Sequence, residues 1–330
     1  MSGKIRVGDV EADEGTKKFG FLKVGETSTS AIGLPVMIIN GSRPGPTLCL
    51  TAGIHGCEYN GIVSAIRIIH EVDPTKLSGT VIVVPVVNIP AFQTRTPYVC
   101  PIDGLNLNRI CPGRKDGSIG HLIIHKLFSD VVSKADYLID LHCGDIDEEI
   151  LPPGLVMWSK SGNKEVDKES GKLAEMFDAE YVFVSNEISG SCSSQACSHG
   201  IPAITAESGG RGRIEEASIS FLVNGITRVM KYTKMVGGSI GRKPEQKVIT
   251  SYCSVKPKFG GMFIPNVKLG SLVSEDDVLG EVKTLWGDTI EKVTAPSSGV
   301  VVLLRTYVAV NSGDYLMAIG KLEAPVKLVT

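Results

Sequence analysis

TLCLTAGIHGCEYNGIVSAIRIIHEV (47–72) changes character halfway along. Its first seven residues are a short apolar, strand-like run. Residues 60–72 then carry apolar side chains at helical spacing until Asp73 and Pro74 stop the pattern. A strand that feeds a helix through a loop holding His55 and Glu58 is the building unit of an α/β fold, and the alternation continues on both sides. Upstream, LPVMIIN (34–40) reads as a strand joined by the turn GSRPGP. Downstream, TVIVVPVV (80–87) is a continuous apolar run of the kind buried on both faces of a sheet. A long irregular stretch follows (88–119), and a connection of that length inside a compact domain is usually functional. After it come a helix (121–135), strand ADYLIDLH (135–142), strand GLVMWS, helix NKEVDKESGKLAEMFD, strand YVFVS, a polar loop, strand IPAITAES (201–208) and a helix over 214–235. The alternation predicts an α/β fold with a mixed, mainly parallel sheet flanked by helices.

Beyond VGGSIGRKPEQK (236–247) the helical period disappears, and short strands punctuated by Gly, Pro, Asn and Asp predict a small all-β domain over 250–330. Residues 1–33 are then an N-terminal extension and 34–240 the catalytic domain. The pieces APSSGVV (295–301) and GDYL (313–316) resemble the flattened barrel of biotinyl and lipoyl carrier domains. Such domains present a modified Lys at a hairpin tip. The matching tip here is LWGD (285–288), so a swinging-arm role is not expected, and a lid or an oligomerisation role is.

Bulk composition narrows the classes. The chain has 330 residues, 42% hydrophobic and 21% charged, with a formal net charge of −2. That is the profile of a folded globular protein, without the basic balance that nucleic acid or an anionic membrane selects. No apolar run is long enough to span a bilayer, and the first twenty residues lack a signal-peptide h-region. The eight cysteines form no CxxC pair and are expected as reduced, core-filling thiols, hence a cytoplasmic address.

In open α/β sheets, ligands bind where strands end at their carboxyl edges. His55 and Glu58 follow one such strand, His142 ends a second and Glu207 ends a third. Catalytic zinc sites take three protein ligands from His and carboxylate and leave a position for water. His55, Glu58 and His142 fit that count, and Glu207 is the free carboxylate available to take the water's proton. H-x-x-E alone is equally the mark of a surface pair, and His142 alone of a hydrogen-bonded core residue. The combination is stronger because NLNR (106–109) adds Asn108 and Arg109, whose planar fork suits a substrate carboxylate, a structural ion pair being the alternative for Arg109.

GIHGCEYNG (53–61), RTPYVCPIDGLNLNRICPG (95–113), DLHCG (140–144) and ESGG (207–210) together resemble the succinylglutamate desuccinylase/aspartoacylase family, a branch of the zinc carboxypeptidase-like hydrolases. The resemblance spans roughly residues 34–325. It implies one zinc per chain on His55, Glu58 and His142, with Glu207 as general base. It also implies Arg95 beside the carbonyl oxygen, Asn108 and Arg109 on the substrate's α-carboxylate, and a homo-oligomer. Relatives commonly carry Asp where this chain has Asn106, holding a ligand His by its second nitrogen. An amide oxygen accepts the same hydrogen bond without adding charge. Asp140, two residues before His142, is a second supporting group or merely a loop cap.

The activity expected is deacylation of an N-acyl amino acid or similar small amide. The rivals are a metallocarboxypeptidase acting on peptides or cell-wall fragments and a non-catalytic ligand-binding protein on the same fold. Other features read blandly. SNEISGSCSSQACSH (185–199) has no G-x-S-x-G elbow and is placed to line a specificity pocket. His121 and His125 stand at i,i+4 spacing without the Glu of an HExxH site.

Overall fold

The computed structural model describes residues 3–242 and 245–322. Positions 323–330 of the expected all-β domain, 243–244 of the connector and the first two residues of the N-terminal extension lie outside the described residues.

The centre of the molecule is the sheet that the strand–helix alternation predicts. Across it run Ser78–Val84, Arg43–Ala52, Tyr137–His142, Ala203–Glu207, Leu155–Ser159, Tyr181–Ser185 and Lys247–Val255. All neighbours in this series are parallel except Ala203–Glu207 and Leu155–Ser159, which run antiparallel. Side chains alternate between two cores, as period-2 geometry requires. Leu48 and Leu50 pack with helices Tyr59–Glu71 and Glu216–Tyr232, whereas Cys49 packs with helices Ile119–Asp130 and Cys192–Ser198.

Both ends of the sheet depart from the expectation. Thirteen strands belong to it, and among the described residues only five of its twelve pairings are parallel. At one end Ala31–Asn40 and Thr16–Glu26 add antiparallel strands. The described residues before 34 are therefore integrated rather than appended, and Val7, Val10, Ala12 and Leu22 are buried in the core.

At the other end, Lys247–Val255 pairs antiparallel with Met317–Leu322, which pairs with Gly299–Arg305. Half of the expected β-unit thus continues the main sheet. Gly261–Pro265, Val278–Lys283, Thr289–Thr294 and Ala309–Val310 form a separate four-stranded sheet. Phe263, Leu279, Val282, Leu316 and Ile319 fill the space between the two. The strand Gly299–Arg305 also pairs with Glu148–Ile150, which brings the C-terminal unit to the edge of the central sheet. No described helix is long and apolar enough to cross a membrane.

Candidate metal centre and its cavity

His55 lies in the loop after the strand Arg43–Ala52, and Glu58 is the N-cap of the helix that follows. The Glu58 side chain caps no backbone N–H of that helix. Its carboxylate faces two imidazoles instead: Oε1 is 2.6 Å from His55 Nδ1 and Oε2 is 2.8 Å from His142 Nδ1. Oε2 also accepts the backbone N–H of Cys143 at 3.1 Å. Two glycines of the motif permit this convergence. A Cβ on Gly61 would stand 2.8 Å from the Leu141 carbonyl oxygen, so the helix packs directly on the strand that ends in His142. A Cβ on Gly56 would stand 2.3 Å from the Phe92 backbone nitrogen.

His55, Glu58 and His142 are buried, and one ligand atom from each lies within 4.8 Å of the others, the one such group among the described residues. Their electrostatics are mutual. Burial works against charge on Glu58, but His142 and His55 overcome it and bring the carboxyl down to about 2. Burial likewise opposes protonation of His142, yet Glu58 and Asp140 raise it well above the ordinary imidazole range. His55 is raised too, by Glu58 against burial.

The far nitrogen of each ring is held. His55 Nε2 lies 3.1 Å from Asn106 Oδ1, the relation the resemblance implied for that position. His142 Nε2 lies 3.2 Å from Asp140 Oδ2, and Asp140 in turn accepts the Thr51 hydroxyl at 2.6 Å. Two imidazoles oriented through their second nitrogen, plus a carboxylate, are a donor set that fits zinc. Asp140 therefore does more than cap a loop.

Glu207 ends the strand next to that of His142, and the two are register partners. Its side chain faces a cavity of about 750 Å³ that also contains His55 and Glu58. Burial pushes the Glu207 carboxyl up to about 8; His142 pulls against this, and Glu58 and Glu148 reinforce it. Asn106, Asn108 and Arg109 line the same cavity. Arg109 is exposed at the rim, held by a 2.9 Å hydrogen bond from Nη1 to the Asn108 carbonyl. Ser185, Ser189, Ser191 and Ser193 line the cavity as well, so the polar loop does face the pocket. It also contains a short helix, Cys192–Ser198, capped by the Ser191 hydroxyl, that the sequence reading missed.

Arg95 is placed differently. It is exposed, adopts a left-handed conformation (φ 58°) at the end of the helix Ile89–Thr94, and does not line the cavity. The second guanidinium in the cavity wall belongs to Arg305, from the C-terminal unit. It pairs with Asp147 at 2.7 Å and Glu148 at 3.4 Å, donates to the Tyr98 hydroxyl, and stacks near the rings of Tyr98, Tyr307 and Tyr315. Tyr98 sits edge-on to His55 at 5.8 Å. None of these groups was singled out from sequence; the one signal was Tyr98 inside the RTPYVCP motif.

The mixed sheet thus gathers a His–Glu–His cluster that could hold a metal ion, with the Glu207 carboxyl at the end of the neighbouring strand. The chain belongs to the succinylglutamate desuccinylase/aspartoacylase family, whose catalytic domain matches residues 44–233. It is 28% identical to the N-alpha-acetyl-L-2,4-diaminobutyric acid deacetylase of Halomonas elongata, over 95% of this chain and 93% of that protein. Its fold is similar to a succinylglutamate desuccinylase from Silicibacter sp. TM1040 (TM-score 0.85, 23% identity, 97% of this chain and 100% of that one). It is also similar to the product-bound ectoine utilization protein of Ruegeria pomeroyi (TM-score 0.84, 25% identity, 92% and 94%).

Proposed function

We propose that the chain is a zinc-dependent deacylase that hydrolyses the amide bond of an N-acyl amino acid, with one metal held by His55, Glu58 and His142. The observation that carries this reading is the convergence of those three ligand groups beside Glu207, which stands one strand from His142 and lines the same cavity as His55 and Glu58. When bound, the metal supplies a polarised carbonyl and a water acidic enough to react near neutral pH. Glu207, which lines the cavity one strand from His142, would take a proton from the attacking water and pass it to the leaving amine. Asn106 and Asp140 fix the ring orientations of His55 and His142. Arg109 and Asn108 take the substrate's α-carboxylate at the rim.

The family membership supports the amide-bond chemistry, and the Halomonas relative is named for an N-acetyl amino acid. Leu303, Arg305 and Tyr315 wall the cavity on the side of the C-terminal unit, which favours a small substrate over a long peptide. The testing experiment is a panel of N-acetyl, N-succinyl and longer-acyl amino acids against dipeptides, run with protein of measured zinc content. Release of acid from the acylated amino acids supports the reading, and exclusive cleavage of dipeptides replaces it with a metallocarboxypeptidase.

A further inference from the structure

The cavity holds more carboxyl groups than the deacylase chemistry uses. Three carboxyl groups line it: Glu58, Glu148 and Glu207. Glu58 faces the two imidazoles, and Glu207 stands as the base. Glu148 has neither task. It is only 9% exposed and opposes Arg305 directly across an antiparallel pair. Arg305, however, is 2.7 Å from Asp147 and 3.4 Å from Glu148, so one guanidinium serves two carboxylates, with the closer contact going to Asp147. The Tyr98 hydroxyl takes a further share of it. Arg109, the other guanidinium of the wall, lies at the exposed rim. Burial pushes the Glu148 carboxyl up to about 7 even though Arg305 pulls it down. A buried carboxylate with half a counter-ion is costly unless another cation completes it. Because Arg305 is already neutralised, the same wall offers little to an anionic side chain.

We propose that Glu148 is the specificity residue for a cationic group on the substrate: the cavity takes an N-acyl amino acid bearing a second, protonated amino group, and the Glu148 carboxylate receives that ammonium. This rests on the deacylase reading and deepens it. The ammonium completes the charge balance between Arg305, Asp147 and Glu148, and an acidic side chain at the same place meets the Glu148 carboxylate instead.

The experiment compares kcat/KM for an N-acetylated diamino acid, its neutral isostere with a terminal carboxamide, and N-acetylaspartate. The comparison is made in the zinc-loaded wild type and in Glu148→Gln and Glu148→Asp. A desolvated charge pair contributes enough that the wild type should prefer the cationic over the neutral substrate by about 30-fold or more. In Glu148→Gln that ratio should fall toward one, and Glu148→Asp should recover part of it. A wild type that treats the two substrates alike, or a Gln variant that slows both equally, overturns the proposal. Calorimetry with the free diamino acid and its neutral isostere gives a readout independent of turnover. If no acylated amino acid is hydrolysed, the deacylase reading fails, while loss of preferential diamino-acid binding in Glu148→Gln still decides the role of Glu148. Equal binding of both ligands by the wild type refutes it.

Discussion

Glu207 and His142 stand opposite each other at the carboxyl ends of two adjacent parallel strands. The proposed base and a proposed ligand are therefore fixed by one backbone register, and a slip of that pairing would turn one of them away from the other.

Glu207→Gln keeps the shape and removes the base. Turnover should fall by on the order of 10²–10⁴-fold, the usual contribution of general-base catalysis. Zinc content should stay at the wild-type level. Retention of more than about a third of wild-type turnover is incompatible with a base of that strength and would reassign the role.

The two supporting groups differ in charge, and that difference is testable. Asp140→Asn should weaken zinc binding by about 10–100-fold, because it removes the negative charge behind His142 Nε2. Asn106→Asp should act in the opposite sense behind His55. Competition against a chelator of known affinity reads both. An Asp140→Asn protein that binds zinc as tightly as wild type would show that Asp140 serves only to hold Thr51.

Gly61→Ala offers a test of the close approach between helix and strand. In an unconstrained helix this change stabilises, since Ala is the better helix former. Here the new Cβ meets the Leu141 carbonyl oxygen at 2.8 Å and the His142 nitrogen at 3.3 Å, neither of which is a flexible side-chain end. The clash should dominate, costing about 1–3 kcal/mol in denaturant unfolding and shifting Glu58 away from His142. A more stable variant with full zinc content would contradict that packing.

Much of this arrangement is legible in the sequence because it is local. The strand that precedes His55, the helix that follows Glu58 and the strands that end in His142 and Glu207 each announce themselves by period and by their stop signals. What the sequence hid is non-local. Glu148 and Arg305 are 157 positions apart and meet only because a three-residue strand, Glu148–Ile150, pairs with Gly299–Arg305. Nothing in either segment predicts that partner. The same holds for the antiparallel ends of the sheet: a strand's own residues do not say whether its neighbour runs parallel. Arg95 shows the reverse, since its motif neighbour Tyr98 reaches the cavity while Arg95, at the end of the helix Ile89–Thr94, does not line it.

Arg109 separates a carboxylate clamp from a structural ion pair. Arg109→Ala should lower kcat/KM on a free-acid substrate by about fivefold, since an ion pair at an exposed rim contributes up to about 1 kcal/mol. Little further loss should occur on the corresponding α-amide, because both changes delete one contact. Arg109→Lys should recover only part, for want of the planar fork. Equal turnover of acid and amide by the wild type would exclude the clamp.

The most direct test of the central claim is acid release from an N-acyl amino acid, measured against zinc content as the metal is chelated away and added back. The account predicts about one zinc per chain, turnover that falls in proportion to its removal and returns with it, and no retained metal in His55→Ala or His142→Ala. Full turnover by protein shown by elemental analysis to be free of metal would contradict it.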